Sequence, residues 1–207
     1  MTKRKAHILD VAEGLFAMHG YDGTTTRLIS DTANANIAMI SYYFGGKEKL
    51  LKAILDRFAD DLYLLVNRIQ EKEHDPQERL RSWVTTYIDY VFVRANPIMV
   101  AHRLLSLITN KPEIFSSTRK AFDKVYEQIH RTLTEGKKAG VFRDIDVELT
   151  IITLKSSIED LVLESNLIKE DFNITVSEQD KLYPDDFRKR VKKHMLLLLG
   201  VYVFSSN

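Results

Sequence analysis

The 207-residue sequence contains no cysteine, which excludes disulfides and every Cys-ligated zinc or iron–sulfur centre. A reducing compartment fits that absence, and the cytoplasm is the expected location. Proline occurs four times and glycine eight times, too rarely to punctuate a chain of many short strands. Long hydrophobic runs are also missing. The longest, Met195 to Phe204, covers ten residues, against the roughly 20 that span a bilayer, so it is expected as a buried interface helix. The basic start Met-Thr-Lys-Arg-Lys-Ala runs straight into Ile8-Leu9-Asp10 without the apolar stretch or cleavage site of a secretory leader. Neither export nor a membrane partner is therefore expected. Net charge is only +1, which withholds any argument for nucleic acid from bulk electrostatics.

What the sequence does contain is the balance of a folding domain, 44% apolar and 29% charged. Residues 144 to 186 hold twelve acids against three bases, while Lys3, Arg4 and Lys5 form a basic arm and Arg188 to Lys193 a second basic cluster. Such runs serve equally as solvated faces. Apolar residues recur at helical spacing almost throughout, which predicts an all-α protein. Ile8, Ala12, Leu15 and Phe16 share one face of a first helix that Gly20 is expected to end in the left-handed conformation. A long helix is predicted from Lys47 towards Glu73, striped by Leu50, Leu51, Ile54, Leu55, Phe58, Leu62 and Leu65. Further helices are predicted at Gln77 to Arg94, Pro97 to Thr109, Pro112 to Ala139, Asp146 to Ile168 and Pro184 to Phe204. The breaks fall at Pro76, Asn96-Pro97, Lys111-Pro112, Gly140 and the polar stretch Lys169 to Tyr183.

Between Gly20 and Lys49 the predicted helices are much shorter. Thr25 or Thr26 is placed to cap a short helix, Arg27 to Ala33, by accepting from backbone N–H groups two or three residues on. Asn34 follows, a residue type that tolerates the positive φ of a tight turn. Asn36 can then cap a second helix, Ile37 to Tyr43. Ile40 and Phe44 would face inward, leaving Ala38, Met39, Ser41, Tyr42 and Tyr43 to point outward. Two short helices joined by a tight turn suit a major groove about 12 Å wide. Tyr42 and Tyr43 can lay their rings on a sugar-phosphate backbone and donate hydroxyls to phosphates; partly buried packing residues are the other reading. Lys47 opens the next helix, whose N-terminal N–H groups form an anion site.

This segment closely resembles the DNA-binding domain of the TetR family of bacterial transcription regulators. The matching features are Phe16, Gly20-Tyr21, threonines 24 to 26, Ile29, Ala33 and the block from Ile40 to Leu50, ISYYFGGKEKL. The resemblance covers about residues 5 to 55, a quarter of the chain. It implies that Ile37 to Tyr43 is the recognition helix, that Thr25, Tyr42 and Lys47 hold phosphates, and that Ala38 and Met39 lie near bases. Arg27 stands where some members read guanine, with a phosphate contact or a solvated arginine as the alternative. The candidate DNA-binding set is Lys3, Arg4, Thr25, Thr26, Arg27, Asn36, Ala38, Met39, Ser41, Tyr42, Tyr43 and Lys47. Two positions depart from the common pattern: Asn34 replaces glycine, harmless by the φ argument, and Ser41 replaces a tyrosine, leaving Tyr42 and Tyr43 to supply that backbone contact.

The division expected is a helix-turn-helix head, residues 1–48, and a helical effector-binding and dimerisation body, residues 49–207. Trp83, Tyr87, His102, Phe122 and Tyr126 are the candidate ligand-binding residues, although aromatics at helical spacing are more often core than ligand wall. No histidine and carboxylate spacing points to a metal, and no cofactor is expected. The last two long helices carry apolar residues on more than one face, Ile151 to Leu163 in one and Met195 to Phe204 in the other. Pairing them with their copies across a two-fold axis gives a four-helix bundle and a homodimer. Such a dimer sets two recognition helices about 34–36 Å apart, on a near-palindromic operator. The function expected is thus a ligand-responsive DNA-binding regulator, more plausibly a repressor, with an unidentified small-molecule effector. The rivals are an all-helical enzyme or small-molecule carrier without DNA binding, and a helical adaptor.

Overall fold

The computed structural model describes residues 2–72, 75–103, 112–175 and 183–205. All of its regular structure is helical. In order come α1 (Lys3–Gly23), α2 (Thr26–Thr32), α3 (Ile37–Phe44), α4 (Lys47–Lys72), α5 (Pro76–Val93), α6 (Ala95–Arg103), α7 (Pro112–Lys138), α8 (Val147–Leu163), α9 (Ser165–Asp171) and α10 (Asp185–Leu198). A π-helical turn, Leu199–Val203, continues α10. Among the described residues no helix is long and apolar enough to cross a membrane.

The helices form two compact units. The first comprises Met1–Leu62 and Asn96–Phe122, the second Tyr63–Ala95 and Asp123–Asn207, so α4 and α7 each contribute residues to both. In the first unit Ile8, Ala12 and Phe16 of α1, Ile29 of α2, Ile40 and Phe44 of α3, and Leu50, Leu51, Ile54, Leu55 and Phe58 of α4 are buried together with Ile114 and Phe115 of α7. Each of the larger side chains contributes about 1.5–3 kcal/mol on leaving water, which is what holds the short α2 and α3 in helical form. Phe122 stands edge-on to Phe58, ring centroids 5.7 Å apart.

In the second unit α5 packs against both α8 and α10. Leu65, Val66, Ile69 and Trp83 make one buried cluster, with Tyr87, Tyr90, Val125 and Ile129 against it. Phe92, Tyr183 and Phe187 make another, the last two with centroids 4.8 Å apart. The chain end is clasped to the loop after α7: Phe142 bridges Phe204, Arg143 N donates to Val203 O at 2.8 Å and Ser205 N to Val141 O at 3.0 Å.

Several expected boundaries move. Gly20 has φ 69° but ψ −176°, so it kinks α1 rather than ending it, and helical turns resume to Gly23. The break expected at Asn96-Pro97 lies at Arg94, and Pro97 becomes the third residue of α6, where its missing N–H costs nothing. The end of the helix expected to run from Pro97 to Thr109 lies outside the described residues. The helix expected from Asp146 to Ile168 stops at Leu163, with Glu164 leaving helical geometry at φ −104°, ψ 23°. Val162 and Ser165 stay buried on either side of that break, three residues apart, so the periodicity does not register it. The last helix likewise changes type, since the α-helix ends at Leu198 before the π turn. Of the polar stretch expected from Lys169 to Tyr183, the first residues belong to α9 and residues 176–182 lie outside the described set.

Candidate nucleic-acid interface

The helix-turn-helix is assembled from its caps. Thr24 is fully buried, and its hydroxyl donates to Gly20 O at 2.7 Å, closing the end of α1. Thr25 is extended, φ −91°, ψ 156°, and its Oγ1 accepts from Leu28 N at 3.0 Å, which starts α2. Thr26 is the first residue of that helix. Asn34 takes the turn with φ 46°, as expected. Asn36 Oδ1 accepts from Ala38 N at 2.8 Å and starts α3. Gly45, left-handed at φ 74° and ψ 21°, closes α3 by donating to Ser41 O.

These caps orient α3 with one face in and one face out. Ile40 and Phe44, four residues apart, are buried; Ile37, Ala38, Ser41 and Tyr42 are exposed, with Tyr42 at 81%. Met39 and Tyr43 are only half-buried, lying at the flanks of the outward face instead of on it. The rings of Tyr42 and Tyr43 meet edge-on at 5.2 Å. Ile37 shares the exposed face, although a pattern reading assigns it to the core because it stands three residues before Ile40.

The basic residues are held differently from one another. Lys3, Arg4 and Lys5 do not form a loose arm: they are the first turn of α1, capped by Thr2, whose Oγ1 accepts from Lys5 N at 3.3 Å. Arg4 Nη2 donates to Asn34 O at 3.3 Å, and Lys5 Nζ lies 5.3 Å from the Phe44 ring centroid. Lys3 is exposed. Arg27 is exposed on α2, 3.9 Å from Asp31, a solvated pair worth little. Lys47 Nζ sits over the ring of Tyr21 at 4.0 Å. Burial lowers the pKa of Lys47 from its ordinary value, and the charge of Asp22 opposes that shift.

The five residues suggested as an effector site are divided between the two units. His102 and Phe122 belong to the first unit, Trp83, Tyr87 and Tyr126 to the second. His102 is on the surface, Phe122 is engaged with Phe58, and the exposed Tyr126 lies 5.8 Å from His130. Trp83 and Tyr87, one turn apart on α5, do share a buried cluster. Tyr87 donates its hydroxyl to Glu159 Oε1 at 2.6 Å. Burial first, then the carboxylate of Glu159, pushes its pKa well above the ordinary tyrosine value. Periodicity places an aromatic on a helix face but does not say which neighbouring helix that face meets.

Comparison with known proteins agrees with this architecture. Residues 8–54 match bacterial regulatory proteins of the tetR family, and residues 73–163 match the tetracyclin repressor-like C-terminal domain. The transcriptional repressor KstR2 of Rhodococcus jostii is 30% identical over 156 residues, 74% of this chain and 76% of that protein. The repressor NicS of Pseudomonas putida is 29% identical, covering 69% and 67% of the two chains. The fold is that of the ketosteroid transcriptional regulator KstR2 of Mycobacterium tuberculosis, with TM-score 0.82 at 20% identity over 100% of this chain and 97% of the other. With both matches and the Rhodococcus jostii relative in hand, the chain belongs to the TetR family of bacterial regulatory proteins.

Proposed function

We propose that this protein is a transcriptional repressor that grips a near-palindromic operator as a homodimer and lets go when a small molecule binds its second unit. The observation that carries the DNA contact is the outward face of α3, where Ala38, Ser41 and Tyr42 stand free of the core while Ile40 and Phe44 anchor the helix. On this reading α3 enters the major groove with Ala38 and Met39 against base edges. Tyr42, Tyr43, Thr25, Thr26, Asn36 and Lys47 hold the flanking phosphates, and Ser41, Lys3 and Arg4 lie at the margin. Arg27, extended into solvent, is free to reach either a guanine or a phosphate.

Dimerisation through α8, α10 and the π turn is supported by their exposed apolar side chains. Leu149 and Ile152 lie on α8, Leu197 and Leu198 on α10, and Val201 and Tyr202 in the turn, Val201 at 72% exposure. Water contact with that many large apolar groups is costly unless a second copy covers them.

An effector beside Trp83 and Tyr87 is supported by the indole Nε1, which is buried with no acceptor among the described residues. Such a donor costs about 1–3 kcal/mol until something accepts from it. Effector binding then acts on the head through α4, whose residues belong to both units. The protein works in the cytoplasm, where the chromosome lies. The family consists of regulators, so the reading as an enzyme without DNA affinity is not favoured. The test is a gel shift with the DNA flanking the protein's own gene. Salt-sensitive, sequence-selective retardation is the expected result, and its absence would refute the repressor reading.

A further inference from the structure

We propose that Tyr21 is the positioning residue for Lys47: its ring, seated on Phe16, holds the ammonium in place before a DNA phosphate arrives. This rests on the reading of Lys47 as a phosphate contact.

The arrangement begins with Gly20. In an unbroken α-helix residues 16 and 21 point about 140° apart and could not stack. Gly20 breaks the helix with φ 69° and ψ −176°, a conformation essentially reserved for glycine. Tyr21 thereby folds back on Phe16, ring centroids 5.9 Å apart and planes within 10°. Phe16 is fully buried, so the platform beneath Tyr21 is rigid. The ring of Tyr21 also receives Lys47 Nζ at 4.0 Å, well within the range at which a ring quadrupole attracts a cation.

Two consequences favour a phosphate contact. A free lysine samples many rotamers, and an incoming phosphate must remove that freedom; here the ring has removed most of it already. The ammonium has also lost part of its water, as the downward shift of its pKa by burial indicates, so less solvent remains to be displaced by a phosphate. Asp22, the charge acting on it from the same segment, opposes that shift.

The experiment uses the full chain and a short duplex of random sequence, since phosphate contacts operate on any DNA. Fluorescence anisotropy across a salt series gives affinity and salt slope. Lys47→Ala is expected to flatten the slope by about one contact per protomer. Tyr21→Leu should weaken binding about two- to fivefold, Tyr21→Phe should bind as the native chain does, and Tyr21→Leu combined with Lys47→Ala should be no weaker than Lys47→Ala alone. Because Tyr21→Leu could also loosen the fold, a second series places progressively fluorinated phenylalanines at position 21, keeping the shape while weakening the quadrupole. Affinity falling with each added fluorine supports the proposal, and a flat series overturns it. If Lys47→Ala leaves the slope unchanged, the phosphate reading itself is wrong.

Discussion

Arg57 Nη2 donates to Glu13 Oε2 at 2.6 Å while its Nη1 donates to Asp10 Oδ1 at 2.6 Å, so one guanidinium on α4 holds two carboxylates on α1. Glu13 is among the few buried polar or charged residues, at 7% exposure. Burial works against the charge on Arg57, but the bonds to Glu13 and Asp10 outweigh it and raise the pKa. Arg57→Met keeps much of the volume and removes the charge, leaving the Glu13 carboxylate buried without its guanidinium. The expected loss is about 3 kcal/mol in urea unfolding, with a smaller loss for Arg57→Lys, which keeps the charge but not the fork. A loss below about 1 kcal/mol would place this pair with ordinary surface ion pairs.

The DNA contact proposed for Tyr42 is separable from the fold. With 81% of its surface exposed, Tyr42→Ala should change stability by no more than about 0.5 kcal/mol. A lost hydroxyl-to-phosphate bond should weaken operator binding about tenfold. A variant that melts several degrees lower while binding normally would show that the ring serves packing instead.

Gly136 sets two effects against each other. Alanine is the better helix former by up to about 1 kcal/mol, and position 136 lies inside α7. A Cβ there would overlap Phe142 Cδ2, however, and that ring is stacked on Phe204, centroids 5.5 Å apart. Overpacking of that kind costs about 1–3 kcal/mol, so Gly136→Ala is expected to lower the melting temperature.

Val201→Glu tests the proposed dimer surface. Its side chain is exposed in the single chain, so the fold of each protomer should be unaffected by circular dichroism. Light scattering should show the two-chain particle dissociating towards one chain at micromolar concentration, with loss of operator binding in parallel. A particle that stays paired would move the interface elsewhere.

Alkaline pH probes Tyr183, whose hydroxyl donates to Leu161 O at 2.6 Å and whose pKa burial pushes from 10.0 up to about 12. In that window the unfolded chain has lost a proton that the folded chain retains. The stability contributed is therefore complete below pH 10 and falls as pH rises towards 12, by at most about 3 kcal/mol. Tyr183→Phe should flatten the melting temperature against pH over that interval, and an unchanged slope would assign the effect to other tyrosines.

The helix-turn-helix was open to inspection from the residue order because its causes are local. Thr25 bonds three residues ahead, Asn36 two, and Asn34 needs only its own φ, so capping chemistry written in the sequence places α2 and α3 within a residue of where they fold. The inward Ile40 and Phe44 follow from a period that any helix obeys.

What lay beyond the residue order depends on partners far away along the chain. The first turn of α1 looks like a free basic arm until Asn34, 30 residues on, accepts from Arg4. Tyr87 is just another aromatic at helical spacing until Glu159, 72 residues later, takes its proton bond, whereas Phe122 is claimed by Phe58 and His102 by solvent. The break at Glu164 and the π turn at Leu199 leave the apolar rhythm intact, so only packed helices reveal them. Local hydrogen bonds decide where a helix starts. Which face meets which neighbour is settled by the burial of the whole chain at once, and no window of sequence contains that competition.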